Sequence, residues 1–94
     1  MKLRYTPRAR LDFVEIHDYI AQENPHAARR VIAIIRKSAE VLLLNPLVGR
    51  AGRVGGTREL TVGRFPFLLA YRIDANEVQI LSVIHTARLW PESF

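Results

Sequence analysis

Near the end of the chain the segment IHTARLWP, residues 84–91, places a histidine at 85 and an arginine at 88 just past an apolar run. Imidazole titrates near neutral pH and can accept or give up a proton, and a guanidinium fork can hold a phosphate. Cleaving RNA through its 2′-hydroxyl needs a base, an acid and cations around the in-line phosphate. His85 as base, with Arg72 and Arg88 as phosphate holders, is the set this sequence offers for that chemistry. The competing reading has His85 closing a strand and hydrogen-bonding backbone, in a surface that only binds.

The charge balance extends the same question to the whole chain. Fourteen Lys and Arg stand against nine Asp and Glu, a formal net charge of +5. Twelve of the fourteen are arginine. Such a surface suits nucleic acid or an acidic protein segment that competes for it, and it also serves plain solubility. Arg50, Arg53, Arg58 and Arg64 are the cations available to hold either the carboxylates of a partner or the phosphates of a nucleic acid. His17, His26 and His85 fall in different elements without a second ligand at chelating spacing, so neither a metal nor another cofactor is expected. The chain has no cysteine, which excludes a disulfide framework and thiolate metal sites and fits a reducing cytoplasm. The start MKLRYTPRARLDF meets charge too often for a signal peptide, and no run approaches the ~18 apolar residues of a membrane span.

These side chains need elements to position them. MKLRY alternates and reads as a first strand with Leu3 and Tyr5 on its apolar side. Thr6-Pro7 and Asn24-Pro25 each pair an N-cap with a proline at the first helical position, so two helices start there, with the first ending near Gln22 or Glu23. In the first, Ala9, Phe13, Ile16 and Ile20 form the apolar stripe, with Asp12, Glu15 and Asp18 off it. In the second, Ala28, Val31, Ile32, Ile35, Ala39, Leu42 and Leu43 form one broad core face, and Asn45-Pro46 stops it. Ile34 and Val41 fall outside that face, which makes them candidates for a partner's amphipathic helix, with a free sheet edge offering a place for an added strand. NPLVGRAGRVGG reads as a mobile loop. It lacks the Gly-Lys-Ser/Thr of a phosphate-binding P-loop. TRELTV, FPFLLAYRI and VQILSVIH read as strands, the last central or covered on both faces. The result is an α+β fold over residues 1–94 as one domain. A helical hairpin lies on a small, mainly antiparallel sheet in the order β-α-α-β-β-β.

The element order, with NPLVGRAG, TRELTV, FPFLLAYRI and VQILSVIHTARLWP, resembles the ParE/RelE superfamily of bacterial toxins from type II toxin–antitoxin modules, and is most similar to its ParE-type, plasmid-stabilisation branch. The array Asn45-Pro46, Gly49-Arg50, Arg58-Glu59-Leu60, Tyr71-Arg72 and His85 to Arg88, in that order, carries the resemblance. It implies a cytoplasmic toxin held in a hetero-oligomeric complex by a ParD-like antitoxin. The superfamily divides by activity: RelE-like members are ribosome-dependent mRNA endonucleases, whereas ParE-like members poison DNA gyrase by binding. RelE-like nucleases keep a basic residue early in the strand read here as FPFLLAYRI, and often a late tyrosine. Aligned through Tyr71, the basic position falls on Leu68, and the tail holds Trp90 and Phe94 but no tyrosine. The expectation is therefore a non-catalytic gyrase inhibitor, with an mRNA endonuclease as the alternative. The resemblance gives its target surface to the C-terminal segment, where Arg88 and Trp90 are the candidates. Trp90 can also fold back to cover a sheet edge.

Overall fold

The computed structural model describes residues 1–87. Strand β1 (Lys2–Tyr5) leads into helices α1 (Pro7–Ala21) and α2 (Pro25–Leu44), followed by β2 (Arg50–Ala51), β3 (Arg58–Thr61), β4 (Phe67–Asp74) and β5 (Glu77–His85). Both helix starts are capped as the sequence indicates. Thr6 accepts a hydrogen bond from the Ala9 amide and Asn24 from the Ala27 amide, with proline at the first helical position each time. Helix α1 ends at Ala21, and the short link to α2 forces the two helices into adjacent packing. No helix among the described residues is long and apolar enough to cross a membrane.

The five strands form one sheet in the order β1-β5-β4-β3-β2. All neighbours are antiparallel except β1, which runs parallel to β5 with Leu3 opposite Val78 and Tyr5 opposite Ile80. Strand β5 therefore lies between β1 and β4, as its scarcity of polar residues requires. Strand β2 was not expected. It has two residues, too short for any periodicity, and pairs Arg50 with Glu59 inside the glycine-rich segment read as a mobile loop.

Phe13 and Ile16 of α1, Ile35, Ala39 and Leu42 of α2, and Leu69, Tyr71, Val78, Ile80 and Val83 of the sheet make the main core. Burying each large apolar side chain stabilises by about 1.5–3 kcal/mol. Alternate residues of β4, Leu68 and Ala70, join Ile84 in a second, smaller cluster. Two positions of α2 differ from the helical-wheel reading. Leu43 is 36% exposed rather than core. Ile34 is half-buried against the main core, because α2 packs on β1 and β5 as well as on α1 and so covers more than one stripe.

The β4–β5 pairing slips between Ala70 and Tyr71: Ala70 faces Ser82 while Tyr71 faces Ile80, which leaves Leu81 as a bulge. A bulge leaves polar groups without ladder partners, and α1 supplies them. Thr6 donates from its hydroxyl to the Leu81 carbonyl. Asp12 accepts from the Ser82 hydroxyl at 2.6 Å and the Val83 amide at 2.9 Å. Asp12, off the apolar stripe, thus ties the helix to the irregular part of the sheet.

Candidate functional site

Six of the residues that carry the resemblance, Pro46, Gly49, Arg50, Arg58, Glu59 and Tyr71, meet around the exit of α2. Helix α2 stops at Asn45, whose amide still donates to the Val41 carbonyl, and Pro46 cannot extend the ladder. The next turn is fastened by Tyr71, which is fully buried. Its hydroxyl donates to the Pro46 carbonyl at 2.7 Å and accepts from the Gly49 amide at 2.9 Å. Burial raises the Tyr71 pKa above its ordinary value, while the Gly49 hydrogen bond and the nearby Arg58 act in the opposite direction. Gly49 is required by space. A Cβ there would stand 2.7 Å from the Tyr71 ring and 2.8 Å from the Glu59 carbonyl.

The arginines assigned to a partner are partly committed to this turn. Arg58 donates to the carbonyls of Leu47 at 3.3 Å and Gly49 at 2.9 Å. The Glu59 carboxylate, 3% exposed at the side chain, accepts from the Arg50 guanidinium at 3.3 Å and from the Arg53 amide at 2.9 Å. A buried carboxylate without such donors would be strongly destabilising. Arg50 and Arg58 therefore shape the turn before they can serve any ligand, a role that residue type alone did not disclose. Arg64 is exposed in the turn between β3 and β4.

What the clamp presents is apolar. Leu44 is 88% exposed, Leu47 63%, Val48 47% and Val41 45%, and together they run from the last turns of α2 into the clamped turn. Exposed apolar residues held on a fixed backbone suit a contact surface. Val41 belongs to this set as expected. Ile34 does not: seven residues earlier on the same helical flank, it packs against the core. Leu44, Leu47 and Val48 went unnoticed in the sequence, although their position beside a helix stop was a usable signal.

His85 and Arg72 do not converge. His85 pairs with Phe67 at one end of β4, and Arg72 with Gln79 near the other. Five residues of strand separate Phe67 from Arg72, about 17 Å. The structure therefore does not bring His85 and Arg72 together. The His85 ring meets Phe67 edge-on at 5.3 Å, and its Nδ1 accepts from the Ala87 amide at 3.1 Å. It borders an apolar cavity of about 540 Å³ with Ile16, Ile20, Val31 and Phe65. Leu68, at the position where a nuclease would carry a cation, is 2% exposed in the second cluster. Arg88 and Trp90 lie outside the described residues.

A helical hairpin on a mixed five-stranded sheet, with a tyrosine-clamped turn at the helix exit, defines a class of small α+β domains. Residues 3–90 match the family model described as the ParE toxin of the type II toxin–antitoxin system parDE, and the chain belongs to that family. It is similar to the protein Y4kP of Sinorhizobium fredii, 40% identical over 91 residues, which cover 97% of this chain and 94% of that one. Toxin RelE2 of Caulobacter vibrioides is 35% identical over 85 residues, covering 90% of this chain and 94% of the other. Among solved structures, a chain of the chromosomal ParDE TA system from P. aeruginosa superposes with a TM-score of 0.82 at 32% identity, covering 90% of this chain and 95% of that chain.

Proposed function

We propose that this toxin acts by binding rather than by cleavage, trapping DNA gyrase on its DNA, and that a cognate ParD-like antitoxin neutralises it in the cytoplasm within a hetero-oligomeric complex. The observation that carries the non-catalytic reading is the separation of His85 from Arg72 by the length of β4, together with the apolar Leu68 at the nuclease position. A gyrase inhibitor needs to recognise one state of the enzyme–DNA intermediate and has no use for a convergent acid/base pair. On this reading Arg88 and Trp90 meet the target. The antitoxin docks an amphipathic helix on Val41, Leu44, Leu47 and Val48, with Arg50, Arg53, Arg58 and Arg64 as the cations around acidic residues of its tail.

The test is purified toxin, freed of antitoxin, added to gyrase, ATP and supercoiled plasmid, with protein-linked linear DNA followed on a gel. Linear DNA that rises with toxin and falls on adding antitoxin is the expected result. If gyrase is unaffected while mRNA on a programmed ribosome is cut, and the cutting is lost in His85→Ala, the proposal fails in favour of the endonuclease.

A further inference from the structure

A second surface, away from the clamped turn, has a different chemistry. Thr6, Arg8, Gly55, Gly56 and Arg72 are among the residues that line a cavity of about 500 Å³. No carboxylate among the described residues lines it. Many other cations of the chain are engaged: Arg4 with Glu77, Arg50 with Glu59, Arg29 with His26, and Arg36 over the rings of Tyr5 and Phe13. Among the described residues, Arg72 is engaged only through its Nε, which donates to Gln79 Oε1 at 2.7 Å. Gln79 is itself 5% exposed and donates to Glu77 at 2.6 Å. A buried amide thus orients the Arg72 guanidinium and leaves its two terminal NH2 groups without a partner among the described residues.

Arg8 adds a second guanidinium at a place where a cation is locally disfavoured. It sits in the first turn of α1, a turn with no acidic residue, where the helix dipole is positive and favours negative charge. The Arg8 main-chain amide also lacks a partner among the described residues, since Thr6 serves the Ala9 amide. Facing these groups, the turn held by the Thr57–Val54 hydrogen bonds exposes Gly55 and Gly56, where an added Cβ would meet nothing within 4 Å. The main chain is therefore open to close approach.

We propose that this cavity is a phosphate-binding site for a nucleotide or a nucleic-acid strand, with Arg72 and Arg8 as the two guanidinium contacts. The donors come from separate elements, α1 and β4, and outnumber what the two oxygens of a carboxylate accept. A tetrahedral phosphate takes hydrogen bonds from several directions and relieves the repulsion among the two guanidiniums and the helix dipole. The site does not depend on which enzyme the toxin targets.

The test uses the full chain, isotopically labelled, titrated with inorganic phosphate against sodium chloride of equal ionic strength. Shifts confined to the amides of Arg8, Gly55 and Gly56 and to Arg72 Nε are expected. Arg8→Ala and Arg72→Ala are expected to weaken phosphate binding roughly tenfold each, as loss of a charge-assisted contact does. Arg72→Lys, which keeps the charge and loses the fork, falls between. Arg30→Ala removes one exposed charge elsewhere and leaves binding unchanged. A nucleoside monophosphate and an oligonucleotide lacking terminal phosphates separate the two sources, and with the oligonucleotide each arginine substitution lowers the salt slope by about one. Shifts spread over the whole surface, an Arg30→Ala effect as large as that of Arg72→Ala, or tighter binding of a glutamate-rich peptide than of either phosphate source overturns the proposal.

Discussion

Tyr71→Phe removes one oxygen and with it two hydrogen bonds of the clamped turn. The Gly49 amide, buried beneath the ring, loses its acceptor, and leaving such a group unsatisfied costs about 1–3 kcal/mol. Pro46 is only half-buried, so its carbonyl can turn to water and the loss adds roughly 0.5–1 kcal/mol. The sum, about 1.5–4 kcal/mol, is a large share of the ~5–15 kcal/mol that holds a domain together. For a chain of this size it corresponds to a fall in Tm of roughly 6–32 °C. Urea unfolding and calorimetry of the two proteins give both numbers. A pH series supplies an independent check. Because burial raises the folded-state pKa of Tyr71, the stabilisation it provides is complete below the unfolded-state value and is lost as pH climbs through the folded-state value. With an unfolded value of about 10, the wild-type protein loses stability above that pH, and Tyr5, also raised by burial, contributes in the same direction. The difference between wild type and Tyr71→Phe should therefore shrink on the alkaline side. A Tyr71→Phe protein within 0.5 kcal/mol of wild type near neutrality, a threshold set by the error of additivity, would show that the turn is held by something else.

Gly49→Ala pushes a methyl group against the Tyr71 ring and the Glu59 carbonyl, so overpacking of about 1–3 kcal/mol is expected in the same unfolding assay. Asp12→Ala leaves the Ser82 hydroxyl and Val83 amide at the bulge without their acceptor, a loss of about 2–3 kcal/mol, and hydrogen exchange at Val83 should speed up. Leu44→Asp and Val41→Asp should leave Tm within a few degrees of wild type and weaken antitoxin binding by at least tenfold in calorimetric titration, since both side chains stand in solvent. Ile34→Asp should instead lower Tm outright, because it places a carboxylate against the core.

The helix boundaries were legible because capping is local: Thr6-Pro7 and Asn24-Pro25 state where a helix begins whatever surrounds it. Strands β4 and β5 were legible because burial on both faces leaves few polar residues to place. What escaped depends on contacts across the chain. The Leu81 bulge has no mark in VQILSVIH, and Asp12 reads as a solvent-facing acid until the bulge stands opposite it. The array of Pro46, Gly49, Arg58, Glu59 and Tyr71 was visible as a pattern of types, yet its members lie up to 25 positions apart and only folding shows that they fasten one turn. Ile34 falls off the wheel's core face yet packs partly on the core, because a wheel projection treats a helix as having one neighbour and α2 has several.

The parallel pairing of β1 with β5 has a consequence for how the molecule comes into being. The hydroxyl of Thr6 and the carbonyl it binds are 75 positions apart. The helical hairpin is complete once residue 44 has been made, but its sheet is not, because the strand flanking both β1 and β4 is the last in sequence among the described residues. Closing so long a loop is entropically costly and slows folding relative to the local helix pairing. During translation the apolar faces of α1 and α2 wait without a sheet until β5 clears the ribosome. Chains that stop before residue 77 lack the strand that joins β1 to β4 and cannot assemble the central layer.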